Sequence, residues 1–199
     1  MKKAIAIFGF LLMAPGWAQQ RTLTVCMATN PSLEQGTTLS LAKGYATRIY
    51  RSIGVELRWK NTCSSAELEA PGTRLSPNLA TVGVAWAPTA PADLAPGAFA
   101  AARPFLPTGM RITVYRDRLA RPMQDHNRAA AVLGHVLAHE LGHVLLGHTG
   151  HARAGLMQPH WSNLEQSAMQ YNLLPFTPED AEDIRTRMDA SALNSKSVR

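Results

Sequence analysis

Between Asn127 and Gly147 runs Asn-Arg-Ala-Ala-Ala-Val-Leu-Gly-His-Val-Leu-Ala-His-Glu-Leu-Gly-His-Val-Leu-Leu-Gly, rich in Ala and Leu and free of proline. That composition predicts a helix buried on most sides, with the last glycine as its stop. A chain organised around such a helix must wrap a core about it and also find partners for the polar side chains it carries. His139 and His143 are four residues apart, so they lie about 40° apart around a helix axis and both imidazoles reach one point beside it. Glu140 is offset by roughly 60° from His143, next to that point and not on it.

The residue types at this spacing point to a metal. Neutral imidazole suits Zn²⁺, and a catalytic site takes three protein ligands and leaves the fourth position to water. The ion lowers the pKa of that water toward about 7 and polarises a substrate carbonyl, while an adjacent carboxylate takes the proton. The pattern therefore predicts one catalytic Zn²⁺ as cofactor, with His139 and His143 among its ligands and Glu140 as general base.

For the third ligand, His148 and His151 both follow the helix. Were the helix to continue, His148 would stand about 180° from His139, facing away. His151 lies beyond Gly147 and Gly150, where positive φ lets the chain turn back, so His151 is the expected ligand and His148 a loop residue. His135 shares the face of His139 and His143. It is separated from His143 by about 12 Å of helix rise, too far for one tetrahedral ion, and reads as a core or supporting histidine.

The run from His139-Glu-Leu-Gly-His143 to Gly155-Leu-Met157-Gln-Pro159-His-Trp161 resembles the zincin metallopeptidases, and within them the metzincins, whose third histidine is followed by a methionine turn beneath the metal. The region also resembles small, secreted bacterial metallopeptidases. The resemblance implies a zincin-like fold, with a mixed twisted sheet, an active-site helix and a small C-terminal helical part. It further implies zinc-dependent peptide hydrolysis, Met157 at the methionine turn, and Pro159 and Trp161 flanking a substrate pocket. In metzincins a glycine stands seven and the third histidine ten residues after the first; here Gly147 stands at eight and His151 at twelve, and position ten is Thr149. The extra residues must be taken up in the turn from Gly147 to Gly150. In some metzincins a tyrosine near the methionine turn donates to the reaction intermediate; Tyr171 is the nearest tyrosine here, at a different spacing. His126, His160 and Glu165 read as loop residues or as supports for the ligands.

The start of the chain has Lys2 and Lys3 before an apolar run to Met13, and Gly16-Trp-Ala18 offers small residues. This is the pattern of an export signal cleaved near Ala18, which places the mature protein in the periplasm or outside the cell. The expected organisation is a signal peptide over 1–18, a single catalytic domain over 19–190 and a flexible tail over 191–199. Two cysteines, Cys26 and Cys63, in an exported chain predict one disulfide; a cysteine thiolate on the metal is the alternative. Net charge is +6, and loss of Lys2 and Lys3 leaves 18 basic against 14 acidic residues, or +4. With no basic run and no nucleic-acid motif, this reads as a solvated surface. The expected partner is a peptide or protein substrate, with the protein a monomer, no nucleic acid and no transmembrane segment in the mature chain. An amide of another kind, such as a cell-wall peptide, is the alternative substrate, and a zincin-like protein that binds zinc without turnover is the alternative function.

Elsewhere the pattern predicts strands over Thr22–Ala28, Val55–Lys60, Leu79–Trp86, Gly97–Ala101 and Arg111–Tyr115. Helices are predicted from about Thr38 to Ser52 and from Thr177 to Met188, the latter with Thr177 as N-cap and a proline at its first position. The fold class is thus α/β (α+β), with a βαβ unit in front of the long helix. In the zincin-like architecture that the resemblance implies, an edge strand pairs with extended substrate, and Gly97–Ala101 is the candidate for it.

Overall fold

The computed structural model describes residues 20–28, 37–61, 81–106, 109–119 and 125–196. The expected signal peptide, Cys63 and the loop over 64–78 lie outside the described residues.

Alternation and β-branched content place five strands where side chains can pack on a pleated surface: β1 Arg21–Met27, β2 Val55–Lys60, β3 Thr81–Ala87, β4 Ala100–Leu106 and β5 Gly109–Tyr115. They form one sheet in the order β2-β1-β3-β5-β4. All pairs are parallel except β4 with β5, which is antiparallel. The mixed α/β architecture is the one expected, and β1, α1 (Thr37–Ser52) and β2 make the predicted parallel βαβ unit.

The edge strand is displaced from its expected place. Gly97 adopts φ 87° and closes a turn in which Ala98 N–H donates to Ala95 at 3.1 Å. That left-handed residue interrupts an extended run, so pairing starts at Ala100, opposite Val114, and β4 continues to Leu106. Pro104 falls inside β4, tolerated because an edge strand need not donate on its outer side.

Further on come α2 (Arg116–Leu119), α3 (His126–Leu146), α4 (Asn163–Ala168) and α5 (Pro178–Lys196). The α3 helix packs on α1 and reaches β4 and β5. The approach to α1 is close because position 134 has no side chain: a Cβ on Gly134 would stand 2.7 Å from the Ala42 carbonyl oxygen and would also collide with Tyr45. The core between sheet and helices is formed by Leu23, Val25, Val84 and Ile112 from the strands and Leu133, Leu137, Leu141 and Leu145 from α3. Within it the buried Tyr50 hydroxyl donates to the Ala138 carbonyl at 3.0 Å, so this polar group in the helix pair is satisfied. By length and composition α3 could cross a membrane, but all of that stretch is buried inside the protein, as a core helix is.

At the C-terminus Thr177 Oγ1 accepts from the Asp180 N–H at 3.1 Å, the predicted cap. The helix it opens runs to Lys196, through most of the stretch expected as a flexible tail. Arg21 on β1 grips Asp189 on α5 with two bonds of 2.8 and 2.6 Å, fixing this helix to the sheet. Cys26 is fully buried in β1, and its expected partner, Cys63, lies outside the described residues.

Candidate metal centre

The centre is built on the last two turns of α3 and the loop that follows. Asp125 caps the start of the helix, its carboxylate accepting from the N–H groups of Asn127 and Arg128 at 2.9 and 3.2 Å. The helix stops where expected: Gly147 takes φ 65°, and its N–H donates to the His143 carbonyl at 2.9 Å. In that left-handed conformation a glycine avoids the cost a side chain would carry, and the chain turns back over the helix.

That return holds the histidines. His139 Nδ1 lies 2.8 Å from the Leu156 carbonyl, and His143 Nδ1 lies 3.0 Å from the His148 carbonyl. A carbonyl can only accept, so each Nδ1 carries the proton and each Nε2 presents a bare lone pair. The two Nε2 atoms are 3.0 Å apart. Burial is the main force that pushes both imidazoles down to about 4, so at neutral pH neither supplies a second proton to bridge the pair. Two lone pairs at that separation repel unless a cation sits between them. Imidazole nitrogens bound to one tetrahedral Zn²⁺ at about 2.0–2.1 Å would stand about 3.3 Å apart, close to what is found.

His151 completes the group from the exposed side. Its ring lies 4.9 Å from that of His143, perpendicular to it, and 5.4 Å from that of His139, at 27° between planes. One nitrogen from each of the three histidines falls within 4.8 Å of the other two. These are three histidines that could hold a metal ion, and the donor chemistry of neutral imidazoles fits a borderline-soft divalent cation.

Glu140 is buried alongside them. Burial pushes its carboxyl up to about 7, against a hydrogen bond from the Ala102 backbone that favours the ionised form. A carboxyl poised there can take and return a proton at neutral pH, and a nearby cation would pull it back toward the ionised state.

The loop below the histidines is shaped by close approaches. Ala152 N–H donates to the Met157 carbonyl at 2.8 Å, and Leu156 N–H to the Pro175 carbonyl at 2.7 Å. Gly155 takes φ 78°, and a Cβ there would stand 2.6 Å from the Pro175 oxygen. Met157 is buried, and its Sδ would be 2.6 Å from a Cβ on Gly142, which explains why a residue without a side chain stands inside the His-Glu-Leu-Gly-His run. Trp161 stands edge-on to His139, with ring centroids 5.5 Å apart, and Pro159 is exposed on the same cleft.

This cleft has a volume of about 1090 Å³ and is lined by the three histidines, by Glu140 and by Ala100 to Ala102 of β4. It brings together His139, Glu140, His143, His151, Pro159 and Trp161, while Met157 is buried against Gly142. His148 stays exposed; its backbone, not its ring, serves the site. His135 is a satisfied core residue, Nδ1 at 2.7 Å from the Ala131 carbonyl and Nε2 accepting from Leu174 N–H at 3.1 Å. Tyr171 is 86% exposed and does not line the cleft, and Glu165 belongs to a capping box with Ser162. His160 sits exposed on the cleft wall. The sequence pattern did not single out Asp125, readable as an Asx cap just ahead of the apolar run, nor the Ala102 amide and His148 carbonyl, which carry no side-chain signal.

No known family profile matches the sequence, and no curated protein is significantly similar to it. Among solved structures, the chain is similar to a crystal structure of archaemetzincin from Methanopyrus kandleri, with 18% identity over 89% of this chain and 99% of that one and a TM-score of 0.44.

Proposed function

We propose that this protein is a zinc-dependent metallopeptidase of the zincin type, with His139, His143 and His151 as the ligands of one Zn²⁺ and Glu140 as general base. The observation that carries the reading is the meeting of three imidazoles, two with bare Nε2 atoms 3.0 Å apart, beside a buried carboxyl at an open cleft. Zn²⁺ held there would supply a Lewis acid, polarising a carbonyl and making water more acidic.

The chain's own residues account for the rest. The Leu156 and His148 carbonyls fix the tautomers of His139 and His143, which aligns the lone pairs and raises their basicity. Glu140, held by the Ala102 amide, takes a proton from the attacking water and delivers it to the leaving amine. Beside it β4 offers an edge to an extended peptide, whose backbone pairs by ladder bonds that ignore side chains. Met157 supports the site in the manner of a methionine turn, and Pro159 and Trp161 wall the pocket for the substrate side chain next to the scissile bond. The reading includes export after cleavage near Ala18, a Cys26–Cys63 disulfide and a monomeric mature protein acting on peptides or proteins.

Metal content per chain tests this directly. The wild type, Glu140→Gln and His148→Ala are expected to retain one zinc, and His151→Ala to lose it, with peptide cleavage abolished in Glu140→Gln. A wild type that binds no zinc refutes the proposal, and zinc retained without His151 refutes the ligand assignment.

A further inference from the structure

The cleft continues well past the histidines, and its far part carries positive charge. Arg128, in the first turns of α3, and Arg118, in α2, both line it. Neither makes an ion pair with a described carboxylate. The acid beside them, Asp117, is turned to the backbone: its two oxygens each accept from Ala90 N–H at 3.1 Å, and one accepts from Arg118 N–H at 2.9 Å. Arg128 Nε is buried from solvent and has no hydrogen-bond partner among the described residues. A guanidinium donor shut away from water and left unbonded is costly, and a carboxylate is the group whose geometry its fork matches.

The position follows from the helix. Arg128 precedes His139 by eleven residues, which returns it to within about 20° of the same face and sets it about 16 Å away along the axis. An extended peptide advances about 3.4 Å per residue, so that distance spans about five residues of substrate.

We propose that Arg128 forms a carboxylate subsite at the remote end of the cleft and selects peptides with an acidic group about five residues from the bond cut. This rests on the peptidase reading for its substrate, but the subsite itself is a binding site and is tested by binding. The carboxylate comes from an Asp or Glu side chain or from a chain terminus, and both are tested.

The probes are three fluorescein-labelled twelve-residue peptides: one with several Asp and Glu and an amidated C-terminus, one with Asn and Gln in their place, and the neutral one with a free C-terminal carboxylate. Fluorescence anisotropy of each is measured with the wild type, Arg128→Gln, Arg128→Lys and Arg118→Gln, after thermal melts establish that the variants are folded. The acidic peptide is expected to bind the wild type about tenfold more tightly than the neutral one. That ratio should collapse toward one in Arg128→Gln, recover in part in Arg128→Lys, and shrink at high salt. A preference restricted to the peptide with the free terminus identifies a terminal carboxylate as the ligand. Equal binding of all three peptides by the wild type, or a preference that survives Arg128→Gln, overturns the proposal; survival there with loss in Arg118→Gln moves the site to Arg118. Cleavage of the same peptides is scored separately. A binding contrast without cleavage retires the peptidase reading and keeps the subsite, and cleavage without contrast does the reverse.

Discussion

At the scale of single residues, the absence of a side chain matters as much as the presence of one. Gly142→Ala would gain about 0.5–1 kcal/mol of helix propensity. It would also drive a methyl into Met157 Sδ at 2.6 Å and Phe176 Cε1 at 3.1 Å, and overpacking of that kind costs about 1–3 kcal/mol. The net is destabilisation, to be read as a lower urea midpoint; a midpoint at or above that of the wild type would contradict the packing described. His135 offers a pH-dependent counterpart. Burial, against the bond that Nδ1–H donates to the Ala131 carbonyl and with a contribution from Arg48, pushes it from 6.5 down to about 4. Between those values the unfolded chain binds more protons than the folded one, so stability rises with pH across the window and is lost as pH falls from 6.5 to about 4. The loss amounts to about 3 kcal/mol. In metal-free protein, His135→Gln should flatten the plot of unfolding free energy against pH in that window, while His139 and His143 contribute equally to both curves; parallel curves would exclude it.

At the scale of elements, what the sequence made readable follows from geometry that one segment carries by itself. His139, Glu140 and His143 were placed by the helical repeat alone, and Gly147 by the need for a residue that accepts φ 65°. The left-handed conformation that allows the reversal is taken by Gly147 and not by Gly150, and His151 comes back beside His139 and His143 even though its spacing departs from the metzincin pattern. What could not be read depends on other parts of the chain. The expected edge strand begins too early because Gly97 takes φ 87° in a local turn, and the start of pairing at Ala100, opposite Val114, is set by β5. The two carbonyls that hold the imidazoles leave no trace in side-chain chemistry. The terminal helix outran its expected end, since polar composition alone does not show what its backbone will do. Asp125 supplies the test at this scale: Asp125→Ala removes the acceptor of two N–H groups at the start of α3 and should cost about 1 kcal/mol in a denaturant titration. No change in the midpoint would mean that the cap adds nothing.

For the whole molecule, the mixed sheet and α3 form a frame, and the cleft is lined by β4, α3 and the segment after Gly147. An ion bound only by the folded chain stabilises it by mass action. With free zinc at a hundred times the dissociation constant the gain is about 2.7 kcal/mol. Adding a strong chelator should therefore lower the melting temperature of the wild type, and the shift should vanish in His143→Ala; an equal shift in both would place the metal elsewhere.

The three histidines are not independent anchors. His143 is tethered to the His148 carbonyl, His139 to the Leu156 carbonyl, and His151 lies in the chain between them. A single clasp from His148 to Leu156 thus orients His139 and His143 and carries His151, and it is buckled through the Leu156 amide to Pro175, just ahead of α5. The helix alone brings His139 and His143 together, but their ring orientation and the place of His151 depend on the same clasp, so an ion that drew the three in would tie the turn, the clasp and the mouth of the terminal helix together.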